Sequence, residues 1–462
     1  MEDVNLFARS YYGQTTLHPL GLLAIITLGI ATLLLPRRYA VWPMLVMACF
    51  VSPAQRIAVF TLNFDLLRIM VLFGAIRVVA RYEIRLFIWH RMDYVLVAFA
   101  VTSTVVYVLQ YATADALKYK FGEMYDAIGM YFLFRCLVRD WEDITRLAMC
   151  GAIISVPVAV AFFIEHSTGR NLFGFLGGVP LTTMVRDGRL RCQGAFAHPI
   201  LAGCFWASLT PLIGALWWRG RTGWFFGTTG VCCSFAIIIL CASSTPVSAV
   251  LFAFAAVALY PMRRWMRGVR WSILAALISL HMMMKMPVWH LIARIDISGG
   301  STGWHRFHLI DQFIRHFDQW WLLGIRSVVE WNVFAGDITN QYVLEGVRGG
   351  VIALVLFLIL IRMAFARIGR LWRASDGNKP DLYMAWALGV SLFVHCTSFI
   401  GVSYFGQINM LWYLTLAMIG SLDATAQVAR APQGVGAQPL YARTGSLRCR
   451  PALGVPRMSK RS

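Results

Sequence analysis

Apolar runs long enough to cross a hydrocarbon core of about 30 Å recur from one end of this chain to the other. In lipid every backbone N–H and C=O has to be bonded within the chain, so such runs fold as helices or as a closed barrel. A barrel would show short segments of alternating polarity, and these runs are continuous. Spans are expected at about 18–36, 40–60, 63–79, 93–113, 120–138, 144–165, 198–218, 223–242, 246–262, 270–288, 349–369, 381–401 and 404–421. Pro53, Arg56 and Asn63 make the second and third the least regular. Only 14% of the 462 residues are charged, against roughly 25% in a soluble domain. The expected class is therefore an all-α polytopic membrane protein with about 12–13 transmembrane helices.

The formal net charge is +20. In a soluble protein that would suggest nucleic acid. Here Lys and Arg gather in short loops on one side, at Arg37-Arg38, 77–92, 135–140, 218–221, 262–270 and 361–374. The preference of positive loops for the cytoplasm explains this, and no nucleic-acid partner is expected. Residues 1–421 read as one transmembrane domain. The Gly-, Pro- and Ala-rich 422–462 segment reads as a disordered cytoplasmic tail. The N-terminus has no basic stretch before its first apolar run, so no cleavable signal peptide is expected, and an odd span count puts it outside. Most of the ten cysteines lie within apolar runs and lack metal-ligand spacing. Cys192 stands alone in a polar loop, so no disulfide framework is expected.

Two outer segments, 166–197 and 289–348, are far longer than the other outer connections, and insertions of that size usually carry function. The first holds Arg186, Arg189, Arg191 and His198, a cationic cluster on the side where the charge bias places few arginines. The guanidinium fork suits phosphate. At an outer membrane surface, the diphosphate head group of a lipid-linked sugar fits that chemistry. A loop of solvated arginines is the plainer alternative.

The second segment contains STGWHRFHLIDQFIRHFDQWWLLG, 301–324. As a helix it sets Phe307, Ile310, Phe313, Ile314 and Phe317 in one stripe, with His305, His308, Gln312 and Arg315 opposite. A surface helix anchored by Trp320-Trp321 is one reading. It leaves Arg306 unexplained at the stripe's edge near Phe313, where a charge calls for an anion. His305 and His308 are three apart, but no cysteine, and no carboxylate beyond Asp311, completes a metal site. Downstream, Asp337, Asn340, Gln341, Glu345 and Arg348 lead into a span, where Gly349-Gly350 would permit close packing. Helix capping by Asp337 or Thr339 and snorkelling by Arg348 are the structural alternatives.

Three stretches resemble the O-antigen ligase and polymerase superfamily of membrane glycan transferases. They are Arg191-x-x-Gly194-x-Phe196-x-His198-Pro199, the turn Ser243-Ser244-Thr245-Pro246, and WHRFHLIDQFIRHFDQWWLLGIRS followed by DITNQYVLEGVRGG. The resemblance covers roughly 180–370 by motif and the other spans by hydropathy. It implies a GT-C-like helical fold and metal- and cofactor-independent glycan transfer at the outer face of the bacterial inner membrane. The donor is a glycan on undecaprenyl diphosphate. The acceptor is lipid A–core in ligases, or another lipid-linked chain in polymerases of O-antigen or exopolysaccharide assembly.

Carried over residue by residue, Arg191 and Arg306 match the family's diphosphate-binding arginines, and Arg189, His198 and Arg348 join them as candidates. Where ligases have His-Asn, this chain has Thr339-Asn340. Threonine is no base at neutral pH. The catalytic candidates are thus His305, His308 and Asn340, unless departure of the diphosphate needs no base. That difference favours a polymerase-like transferase over a ligase. A lipid-glycan transporter or flippase, and a non-catalytic scaffold among polysaccharide-export partners, are the rival readings.

Overall fold

A computed structural model describes residues 15–59, 62–294, 302–331, 333, 337–375 and 377–422. The expectations for the N-terminal 1–14 and for the tail beyond 422 fall outside the described residues. The chain is mostly helical: α1 (Pro19–Leu34), α2 (Trp42–Phe50), α3 (Leu66–Ala80), α4 (Arg91–Tyr111), α5 (Ala114–Leu137), α6 (Trp141–Thr168), α7 (Pro199–Gly214), α8 (Gly220–Leu240), α9 (Ser244–Ala258), α10 (Met266–Met283), α11 (Thr302–Arg315), α12 (Gln341–Ala374), α13 (Lys379–Ser398) and α14 (Gln407–Ser421). Local chemistry sets many of the starts. Asp65, Thr113 and Asp140 accept backbone N–H groups of Arg68, Ala116 and Asp143 at 2.9, 3.2 and 2.8 Å, and Pro199 opens α7 at its first turn.

Helices form at nearly every expected span, yet among the described residues only five are long and apolar enough to cross a membrane by themselves, or six if the pair 244–258 and 260–283, bent by 73°, is one span. This multi-pass architecture has fewer full spans than the 12–13 expected. Several helices stop short: α1, α3, α9 and α14 have 16, 15, 15 and 15 residues. The expected span 40–60 fails outright. α2 ends at Phe50, and Arg56–Val59 (β1) pairs antiparallel with Leu62–Asp65 (β2). A second hairpin, Met184–Arg186 (β3) with Arg189–Arg191 (β4), lies in the 166–197 segment, and these two short hairpins leave the all-α class of the chain unchanged.

α7 forms the centre. It packs against α8, α9 and α13, and Leu201, Cys204, Phe205 and Trp206 are fully buried there. The 289–348 segment builds a small core of its own, in which Leu309, Trp320, Val328 and Trp331 pack on Val343 and Val347 of α12. The expected stripe is only partly the buried one. Phe307 and Leu309 are buried, whereas Ile314 and Phe317 are 47% and 48% exposed. The helix stops at Arg315 because the chain folds back: Trp320 stacks on Phe313 at 4.0 Å and donates its indole N–H to the Phe313 carbonyl at 2.8 Å. The fold-back docks on α12, which begins at Gln341 rather than at 349. Gly350 breaks that helix at φ 65°, and a Cβ there would meet the Leu322 carbonyl oxygen at 2.4 Å. Close packing at this glycine is thus against the outer segment's backbone.

Candidate functional site

The β3–β4 hairpin turns on Asp187-Gly188, both at positive φ (52° and 72°). An Asp-Gly pair supplies that two-residue turn at little steric cost. The register sets Arg186 opposite Arg189. Strand alternation then puts Arg191 on the same face as Arg189, so three arginines share one side of the hairpin.

That side borders a cavity of about 590 Å³. Arg306 reaches it from α11, Ser243 and Ser244 from the start of α9, and Ile200, Ile239, Leu240 and Val247 supply apolar wall. Four arginines therefore line one space, and Asp187 is the single carboxylate with them. Asp187 lies 3.6 Å from Arg186, and both are exposed. Arg191 is 4% exposed, and its Nε is buried without a hydrogen-bond partner. Burial, reinforced by Arg186, lowers the pKa of its guanidinium. Arg306 donates to the Thr245 hydroxyl at 2.7 Å and lies 3.5 Å from the Ser244 hydroxyl.

Glu165, in the last turn of α6, fixes this arrangement. One carboxylate oxygen accepts from the Gln193 N–H at 3.1 Å and the Thr183 hydroxyl at 3.3 Å, the other from the Gly194 N–H at 2.9 Å. Asn171 donates to the Gly194 carbonyl at 2.8 Å, and Gln407 to that of Ala195 at 2.8 Å. Gly194 has φ 57°, and a Cβ there would meet the Phe162 ring at 2.5 Å. The backbone that carries Arg191 is thus held from both sides and is tight at its glycine.

The remaining sequence candidates occupy distinct places. His198 caps α7, its Nδ1 accepting the Ile200 N–H at 3.2 Å. Burial, with Arg191 and Arg186 beside it, takes its pKa down to about 4, so near pH 7 it is neutral and adds no cation. His305, next to Arg306, hydrogen-bonds the backbone of Asp337, and burial lowers its pKa against the raising effect of the Asp337 carboxylate. His308 stacks flat on Trp304 at 4.8 Å. Asn340 caps α12: its Oδ1 accepts the Val343 N–H at 3.1 Å, and its Nδ2 donates to the Ile400 carbonyl at 3.2 Å. The capping role expected of Asp337 or Thr339 belongs to Asn340, while the Thr339 hydroxyl is buried without a partner.

Arg348 is not with the other arginines. It lies 3.5 Å from Glu123 and donates to the Tyr119 hydroxyl at 3.2 Å. Arg348 and Glu123 border a separate cavity of about 100 Å³ between α4, α5, α12 and α14, which Lys120, Asp126 and Glu345 also line. Lys120 bonds Glu123 at 2.6 Å. The acids of that pocket balance its cations locally, whereas the hairpin cavity carries a large cationic excess. Among the described residues, no three His, Cys, Asp or Glu side chains are grouped to hold a metal ion.

Sequence reasoning missed Glu165. Its signal was a carboxylate at the end of an otherwise apolar run, followed by a polar insertion. No protein-family model matches the chain, and no curated protein matches it in sequence.

Proposed function

We propose that this protein transfers or polymerises glycans carried on undecaprenyl diphosphate at the outer face of the bacterial inner membrane, in O-antigen or exopolysaccharide assembly. The observation that supports this reading is the cavity where Arg186, Arg189, Arg191 and Arg306 converge beside the apolar wall of Ile200, Ile239, Leu240 and Val247. A ligand suited to it has a multiply charged anionic head and an apolar tail.

In this mechanism Arg191 and Arg306 hold the diphosphate. An acceptor hydroxyl attacks the anomeric carbon, the bond from that carbon to the diphosphate oxygen breaks, and the departing charge stays among the guanidinium groups. His305 takes the hydroxyl proton. A hydrogen bond to Asp337 fixes its ring, and its lowered pKa keeps it in the neutral form a base requires. Thr339 in place of a histidine favours polymerisation over ligation.

The test uses protein reconstituted in vesicles with a lipid-diphosphate-linked oligosaccharide, comparing wild type with Arg191→Ala. Longer lipid-linked chains and free undecaprenyl diphosphate, absent in the variant, are expected. Release without lengthening would point to ligation. No turnover by a folded wild-type protein overturns the reading.

One observation favours transport of the lipid-linked glycan as the second reading. Lys120, Glu123, Asp126, Glu345 and Arg348 line a pocket within the helices, beside a span broken at Gly350. Broken spans with ionisable residues are typical of transporters. Movement of the intact substrate across the bilayer without release of diphosphate would support it.

A further inference from the structure

The hairpin supplies three arginines of the cavity, but another part of its lining has no charge of its own apart from Arg306. It is built by the start of α9, a helix of 15 residues. The turn that leads into it places Ala242 at φ 43°. Ser243 is then the N-cap residue, in extended conformation, and its side chain makes no capping bond. Its hydroxyl has no hydrogen-bond partner among the described residues, although Ser243 is only 8% exposed. Pro246 removes one N–H from the first turn. The backbone N–H groups of Ser243, Ser244 and Thr245 have no acceptor among the described residues. No acidic residue lies in that first turn.

A helix start leaves N–H groups pointing outward with a partial positive charge, and it is stabilised by a side-chain cap or an anion. Here Ser243 has the right residue type for a cap and does not act as one. Arg191 lines the same cavity, 4% exposed and with a buried Nε that also lacks a partner, and the Cys192 N–H holds its strand beside the turn into α9 by donating to the Leu240 carbonyl at 3.1 Å. Arg306 is fastened to the helix start through the Thr245 hydroxyl at 2.7 Å. Two elements that carry unsatisfied donors thus line one cavity.

We infer that the N-terminus of α9, through the backbone N–H groups of Ser243–Thr245 and the Ser243 and Ser244 hydroxyls, is a phosphate-binding pole of the cavity that Arg191 also lines. The cavity then grips a diphosphate at two points: one phosphate at the hairpin arginines, the other at the helix start with Arg306. This rests on the reading of the cavity as a lipid-diphosphate site and assigns the half of it that contains no hairpin residue. Two poles distinguish a diphosphate from a monophosphate, which can satisfy only one of them.

The test measures binding of undecaprenyl diphosphate to the full-length protein in nanodiscs, with inorganic pyrophosphate as the soluble competitor. Ser243→Asp and Ser243→Asn are compared. Both residues are good N-caps and are nearly the same shape, but the carboxylate fills the anion position with a tethered charge. The aspartate variant is expected to weaken binding of undecaprenyl diphosphate by about tenfold or more and to melt at the wild-type temperature or higher, because an acid at a helix start is stabilising. The asparagine variant is expected within about threefold of wild type. This pattern runs opposite to structural damage, which would lower stability and binding together.

Wild-type affinity in both variants, or equal weakening in both, overturns the inference and leaves the arginine cavity standing. Failure of the wild-type protein to bind either probe overturns the lipid-diphosphate reading and this inference with it. If Ser243→Asp does not fold, Ser244→Asp against Ser244→Asn places the same charge one residue into the helix and is read in the same way.

Discussion

Arg306 and Thr245, 61 residues apart in sequence, are joined by a hydrogen bond of 2.7 Å. It ties α11 of the large outer segment to the start of α9, and so fixes how far a guanidinium projects over the cavity. Such a bond contributes about 0.5–1.5 kcal/mol net. Thr245→Val keeps the shape and removes the acceptor. It is expected to raise the KM for a lipid-diphosphate donor by about fivefold with little change in kcat. Arg306→Lys is expected to lose more, because an ammonium cannot keep both the hydroxyl and a phosphate in one plane. Kinetics in reconstituted vesicles check both, and an unchanged KM in Thr245→Val would remove the positioning role.

Arg191 is expected to oppose stability while serving binding. A guanidinium that is 4% exposed, with a buried Nε lacking a partner, disfavours the ligand-free fold. Arg191→Met should therefore stabilise the ligand-free protein by about 1–3 kcal/mol and abolish donor binding. Thermal melts without ligand, set beside a binding assay, check the pair. A variant that loses both stability and binding would show that Arg191 supports the fold.

Glu165 is expected to matter through the backbone it holds. Glu165→Ala strands the buried N–H groups of Gln193 and Gly194, at about 1–3 kcal/mol each. The consequence should be local: faster proteolysis between residues 177 and 190, ahead of global unfolding. Glu165→Gln keeps one carbonyl oxygen and should fall between wild type and alanine. Timed digestion separates the three, and equal rates would mean that the hairpin is held by its other bonds, those of Asn171, Gln407 and the Cys192 and Thr183 N–H groups.

His198 gives the protein an acid-side sensitivity. Its pKa is about 4 in the folded chain and about 6.5 when unfolded. Between these values the unfolded state binds more protons. Stability therefore rises with pH across the window and is lost as pH falls from about 6.5 towards 4. His198→Asn keeps an N-cap and should flatten that part of the profile. Melting temperatures measured from pH 7.5 to pH 4 test this, and a variant curve parallel to the wild type would count against it.

The helices were legible from hydropathy because lipid forces backbone hydrogen bonds to close within each segment. The expected spans at 93–113 and 144–165 became Arg91–Tyr111 and Trp141–Thr168. The span expected at 40–60 failed because apolar composition alone does not distinguish a helix from a short hairpin, and Pro53 with Arg56 turned the chain. In the site, residue type and spacing marked Arg189, Arg191 and Arg306 together. Spacing grouped Arg348 with them as well, and the structure places it among Lys120, Glu123 and Glu345 instead.

The sequence by itself determined the membrane class, the positions of most helices, and that cationic outer segments stood against the chain's charge bias. Those are properties of composition and local periodicity, which each segment carries alone. Only the tertiary structure decided which cations share a space. The Asp187-Gly188 turn sets three arginines on one face, Glu165 seats that hairpin from another helix, and Thr245 brings Arg306 to it from α11. Each of these contacts joins residues whose neighbourhood depends on how distant helices pack, so no local pattern could specify them.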